Sequence, residues 1–269
     1  MSVKLIRASL PLVFLLHAIF LSIFSSNAFG AKAPWDMLNE NEILMLDKIL
    51  EHWEIWMPEK KEDGGAPLLT FEELYQDLEE REIQFLDRIR KIDPKTAFDF
   101  QGEYLGESTK GIEFLRLDDQ WITKSGEKAK LKPQYLPKEV HTAYQQMKAA
   151  MKKDLGKSLL VDSGYRSPAY QLYTFCFYVP KHHYSLVETG KWIAIPGYSE
   201  HGAPKLQAID FINEEGVDGE DRVEDFEVLP EYHWLLQNAG RFGFELSYPR
   251  GKQGITFEPW HWRYINPKH

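Results

Sequence analysis

The stretch EPWHWRY, residues 258–264, sets aromatic side chains in alternation around His261. That is the pattern of a half-buried strand, and it carries Glu258 three residues before the histidine. Burying a carboxylate and an imidazole is costly unless each finds a partner. Working backwards along the chain, LQAIDFIN (206–213) reads as another strand, with Asp210 inside its apolar run and His201 closing the turn before it. SLLVDSGYRS (158–167) reads as a short strand entering a turn. Helical patterns lie between: YLPKEVHTAYQQMKAAMKKDLG (135–156) stopped by Gly156, SPAYQLYTFCFYV (167–179), and PEYHWLLQNAGRFG (230–243). Ser167 and Pro168 suit the N-cap and first position of the second of these. PKHHYSLVETGKWIAIPGYSEHG (180–202) reads as a long polar loop. Without regular β-α alternation, the expected class is α+β, an antiparallel sheet with flanking helices.

Upstream, residues 31–94 read as a helical N-terminal region set before a domain of residues 95–269. ILMLDKILEHWEIW has apolar residues at helical spacing. TFEELYQDLEEREIQFLDRIRKI repeats the pattern, with Thr70 and Glu73 placed as a capping box. Residues 1–30 differ again: Lys4 and Arg7, an apolar run from Leu10 to Phe24, then small residues before Ala31. This is the build of a cleavable export signal, so the mature protein is expected to begin near Ala31 and to work outside the cytoplasm. The formal net charge is −9 over the full sequence. Losing Lys4 and Arg7 makes the mature chain more acidic still, which disfavours a nucleic-acid partner. The single cysteine, Cys176, excludes an internal disulfide. Its aromatic surroundings suit a small buried side chain.

Two histidines and an aspartate on separated segments, His201, Asp210 and His261, form a ligand set for a catalytic zinc that keeps one position open. Glu258 would then stand beside them as a general base. A histidine on an apolar strand is also commonly a satisfied core residue. The residues alone leave both readings open.

SGYRS (163–167), PGYSEH (196–201), AID (208–210) and EPWHWRY (258–264), in that order, resemble the D-alanyl-D-alanine carboxypeptidases of the VanY type. NAGRFGFELSYPRG (238–251) is similar to the same family, and the resemblance spans about Tyr135 to Pro267. It implies a zinc peptidase fold whose core is shared with D-Ala-D-Ala dipeptidases and the hedgehog signalling domain. It implies one zinc held by His201, Asp210 and His261, with Glu258 as catalytic base. Arg166 matches an arginine facing the substrate carbonyl. Ser199 matches the motif serine, and Gln171 a glutamine that commonly follows the SGYRS turn; both are expected near substrate. The implied substrate is the D-Ala-D-Ala end of peptidoglycan stem peptides, met in the periplasm, or secreted at the wall. L,D-carboxypeptidase or endopeptidase specificity, and an inactive zinc-stabilised binding module, are the alternatives.

One departure stands out. The family usually has four residues between the histidine and the Ala-x-Asp motif, whereas GAPKLQ supplies six. The family's spacer glycine is missing, and Gly202 stands directly after His201. Two added loop residues cost well under ~1 kcal/mol in closure entropy, so the ligands are still expected to converge. Pro204 and Lys205 are expected at the rim of the cleft, where they bear on substrate choice.

Overall fold

A computed structural model of the chain describes residues 36–98, 100–202, 206–220, 222–251 and 256–265. The export signal and the rim residues Pro204 and Lys205 lie outside the described residues. No described helix is long and apolar enough to cross a membrane.

The N-terminal part is helical: α1 (Glu40–Glu54), α2 (Met57–Glu62), α3 (Phe71–Leu74), α4 (Glu80–Arg90) and α5 (Pro94–Ala97). The Thr70–Glu73 capping box is present, but the helix it starts ends after one turn at Leu74. Asp77 adopts a left-handed φ of 62° that no α-helix continues through. A second box, Glu79 with Glu82, restarts the chain as α4. The single long helical pattern of the sequence is therefore two helices.

Four short strands follow: β1 (Phe114–Leu117), β2 (Trp121–Lys124), β3 (Glu127–Lys130) and β4 (Gln134–Pro137). They pair as two antiparallel ribbons, β1 with β4 and β2 with β3. Then come α6 (Lys138–Leu155), β5 (Leu159–Ser163), α7 (Pro168–Tyr178), α8 (Leu186–Gly190), β6 (Ala208–Asn213), α9 (Val223–Glu227), α10 (Pro230–Asn238), β7 (Phe244–Leu246) and β8 (His261–Tyr264). Gly156 stops α6 with a left-handed φ of 70°, the usual glycine C-cap. Ser167 caps α7, its hydroxyl accepting from the Tyr170 amide. The long 180–202 segment is less irregular than its polarity implied, because Ser185 caps α8 within it.

The main sheet runs β5-β6-β8-β7, antiparallel throughout, which is the α+β arrangement expected. Strand β8 is shorter than EPWHWRY. Pro259 and Trp260 form a turn, and Glu258 precedes the strand rather than lying in it. Proline has no amide to give a ladder, and the His261 amide reaches back to the Glu258 carbonyl at 3.2 Å.

Two large apolar cores hold these elements, beside a small cluster of Ile122, Leu160 and Ile212 among the described residues. One lies between the sheet, α6 and α10, around Tyr144, Phe211, Phe226 and Trp262. The other joins α1, α3 and α4 to α7: Leu46, Ile49, Trp53, Leu74 and Leu86 share a cluster with Leu172, Phe175 and Cys176. Trp53 is its keystone, fully buried, ring to ring with Tyr173 at 5.6 Å, its indole N–H donating to the Leu74 carbonyl at 2.9 Å. Trp53→Ala is expected to cost about 3–5 kcal/mol of stability. Equilibrium urea denaturation checks this, and a loss of under about 1 kcal/mol would show that the cluster is not cohesive.

Candidate metal centre

Each arm of the centre is positioned by a different piece of backbone. Asp210 lies mid-strand on β6, directly opposite His261 on β8. His201 comes from a short 3-10 turn, Glu200–Gly202. Its backbone carbonyl accepts the Arg166 amide at 3.0 Å, tying the SGYRS and SEH turns together. The SGYRS turn is itself tightly seated. A Cβ on Gly164 would stand 2.5 Å from the Tyr135 carbonyl oxygen, so only glycine allows this approach. Ser167 adds two bonds to the N-terminal part, its amide to the Pro67 carbonyl at 2.9 Å and its hydroxyl to the Leu69 carbonyl at 2.6 Å.

The structure brings His201, Asp210 and His261 together: one ligand atom from each lies within 4.8 Å of the others, and all three residues are buried. His201 Nδ1 donates to the Gly164 carbonyl at 2.8 Å, because a carbonyl only accepts. Burial, then the nearby Arg166 cation, hold its pKa down at about 4, so the ring is neutral near pH 7. Its Nε2 is therefore a bare lone pair, buried without a hydrogen-bond partner and 3.0 Å from Asp210 Oδ2. Two acceptors facing each other across that distance call for a cation between them.

His261 presents Nδ1 to Asp210 Oδ1 at 2.8 Å and Nε2 to Glu200 Oε2 at 3.1 Å. Burial opposes a charge on this ring, yet the surrounding carboxylates of Asp210 and Glu200 outweigh it and raise its pKa to about 10. With Nε2–H given to Glu200, the Nδ1 side is what remains for a metal ion. Asp210 is likewise held far below the usual carboxylate range: burial works against its charge, and the two imidazoles prevail.

Glu258 Oε2 lies 3.8 Å from His261 Nδ1. Burial raises the Glu258 pKa to about 7, the His261 charge opposing. Arg166 points its guanidinium inward, 3.9 Å from Asp210 Oδ2, with Nε buried and unpaired. Ser199 is buried beneath the turn, its hydroxyl accepting the His201 amide at 3.3 Å. Gln171 is buried in α7 and donates to the Ala194 carbonyl at 2.6 Å, bracing the segment that leads into the SEH turn. His182 and His183 do not join the cluster formed among the described residues.

Two neighbours were passed over in the sequence. Glu200 bridges His261 and Arg263, whose Nη1 lies 2.8 Å from Glu200 Oε1. Burial opposes its charge, but the His261 bond holds its pKa down at about 2. Tyr248 packs its ring against His261 at 4.7 Å between centroids. The hint for Glu200 was its place inside PGYSEH; in a 3-10 turn adjacent side chains diverge, so Glu200 can meet β8 while His201 turns inward. Arg263 forms ion pairs with Glu200 and Glu245.

Residues 133–267 match the family described as VanY, D-alanyl-D-alanine carboxypeptidase. The chain belongs to the VanY family. That stretch holds both strands of the metal centre, the SGYRS turn and Glu258, and leaves the N-terminal helices outside it. The YodJ protein of Bacillus subtilis (strain 168) is 33% identical over 145 residues, which span 52% of this chain and 50% of YodJ. The bifunctional D-Ala-D-Ala dipeptidase and D-Ala-D-Ala carboxypeptidase VanXYC of Enterococcus gallinarum is 30% identical over 138 residues, 50% of this chain and 70% of the relative. Among solved structures, the LdcB LD-carboxypeptidase superposes with a TM-score of 0.45 at 28% identity, covering 62% of this chain and 72% of that one.

Proposed function

We propose that this VanY-family chain is an exported zinc carboxypeptidase that removes the terminal D-alanine from the D-Ala-D-Ala end of peptidoglycan stem peptides. The observation that carries this reading is the convergence of the bare His201 Nε2, Asp210 and His261 Nδ1, with Glu258 at 3.8 Å from the last. Two imidazoles and one carboxylate are the donor set of a catalytic zinc with an open position. When bound there, zinc supplies Lewis acidity, lowering the pKa of water and polarising a carbonyl. The relative VanXYC, named for action on D-Ala-D-Ala, and the leader read in residues 1–30 support the substrate and the export.

In this reading His201, Asp210 and His261 hold the ion. Glu258, with a pKa lifted to about 7, accepts a proton from the attacking water and returns it to the leaving D-amino acid. Arg166 faces the carbonyl under attack and stabilises its developing negative charge, a contribution commonly worth ~3–4 kcal/mol. Ser199 shapes the turn beside the substrate, and Gln171 holds the substrate-facing segment in place. Incubating the zinc-loaded protein with pentapeptide and tetrapeptide stems, and weighing the products, tests the specificity. Loss of one alanine from the pentapeptide alone is expected; cleavage of the tetrapeptide or internal cuts would replace the D,D-reading with L,D- or endopeptidase action.

Glu200 acts through His261 and is a positioning residue. Carboxylates that accept the second ring N–H of a ligating histidine commonly support metal affinity by ~10–100-fold. Glu200→Gln, which still accepts through its amide oxygen, is expected to weaken zinc binding toward the lower end of that range, and Glu200→Ala toward the upper end. Competition with a chromogenic chelator reads both; equal affinity in all three proteins would remove Glu200 from the centre.

A further inference from the structure

One face of α7 leads away from Arg166 as a row of aromatic rings. Tyr170 stacks on Tyr173 at 5.8 Å, Tyr173 on Phe177 at 5.9 Å, and Phe177 meets Tyr178 edge-on at 5.8 Å. Two lysines sit on this row. Lys61, from α2, places Nζ 4.8 Å from the Tyr173 ring centre and 3.2 Å from its hydroxyl. Lys181 places Nζ 4.2 Å from the Tyr178 ring and 4.6 Å from the Phe177 ring. Among the described residues neither lysine makes an ion pair, while the adjacent Lys132 is neutralised by Glu62 at 2.9 Å. Burial, then the charges of Lys132 and Lys181, push the Lys61 ammonium's pKa down. With Glu62 committed to Lys132 and no carboxylate pairing with Lys61 or Lys181 among the described residues, the two ammonium groups are complementary to an anion from outside.

The row starts beside the arginine turn. The Tyr170 amide donates to the Ser167 hydroxyl at 3.1 Å, and Ser167 directly follows Arg166. At ~1.5 Å per helical residue, the Lys61 level lies roughly 12 Å along α7 from the Arg166 turn. An extended peptide covers that in about four residues. We propose that Lys61 and Lys181, held over the aromatic face of α7, bind a carboxylate carried by the substrate peptide a few residues on the acyl side of the bond that is cut. This rests on the carboxypeptidase reading and deepens it: the preferred substrate is an extended stem peptide with a free acidic group, and a residue outside the family-matched segment helps select it.

The test uses two synthetic pentapeptide stems identical except that the carboxylate on the second residue is free or amidated. Zinc-loaded full-length protein carrying Glu258→Gln is titrated with each by calorimetry. The free acid is expected to bind roughly 5–10-fold tighter than the amide, with the gap closing as salt rises. Lys61→Gln/Lys181→Gln is expected to erase the gap by weakening the acid form alone. The exposed Lys181→Gln change by itself, which removes only its contacts with the Phe177 and Tyr178 rings, should remove part of it. Equal affinity for the two peptides, or equal weakening of both by the lysine changes, overturns the site. Turnover by the Glu258 protein separates the two readings: cleavage of both peptides without preference overturns the lysine site only, and failure to bind or cleave either overturns the carboxypeptidase reading with it.

Discussion

Glu258→Gln is expected to keep its zinc and its fold and to lose about 10²–10⁴-fold in turnover on a D-Ala-D-Ala peptide, the usual range for a general base. The argument is geometric first. The carboxylate lies 3.8 Å from the His261 nitrogen that faces Asp210, close enough to share a water with the metal position but not itself one of the converging ligands. Burial holds its pKa near 7, so it can take a proton and give it back at neutral pH. Glutamine has nearly the same shape, retains an acceptor oxygen and cannot take the proton. Metal analysis and single-turnover kinetics on the same preparation read both halves of the prediction. Full turnover would assign the base elsewhere; loss of zinc along with turnover would make Glu258 a ligand.

Asp210→Ala is expected to abolish both zinc binding and activity. Asp210 is the one carboxylate among the three converging residues, and it stands between the two imidazoles, 3.0 Å from His201 Nε2 and 2.8 Å from His261 Nδ1. Without it, two neutral nitrogens would have to offset the dehydration of a divalent cation in a buried site, next to the Arg166 cation. A ligand that binds only the folded state stabilises it by about 4 kcal/mol at a thousand times its dissociation constant. The parent protein should therefore melt several degrees higher with zinc, whereas Asp210→Ala should not respond. A zinc-dependent upshift of equal size in both proteins would place the ion at other residues.

The candidate site was legible because the chemistry proposed for it depends on particular residue types at fixed places. His201, Asp210, His261, Glu258 and Arg166 each stood within a short motif, and the strands carrying Asp210 and His261 followed from apolar patterning. Glu200 was not, since glutamate is common and its value here comes from a turn direction that no spacing encodes. Strand β3 is exposed at every position, so it had no alternation to betray it. The helix break at Asp77 is a single left-handed residue in an unbroken helical pattern. The shared core of α1, α4 and α7 joins residues far apart in sequence, and amphipathic periodicity says which face is buried but not against what.

That shared core sets where the chain can be cut. The family-matched segment starts at residue 133, and trimming to it would strip Leu172, Phe175 and Cys176 of α1, α3 and α4. It would also remove the Pro67 and Leu69 carbonyls that pin Ser167, next to Arg166. The segment before residue 98 thus belongs to the scaffold that braces the turn carrying Arg166. For anyone designing minimal or chimeric versions, the unit to keep begins near Asn39, the cap of the first helix, and grafts that swap only the family-matched segment would carry over the three converging residues while losing the helices that brace the arginine turn.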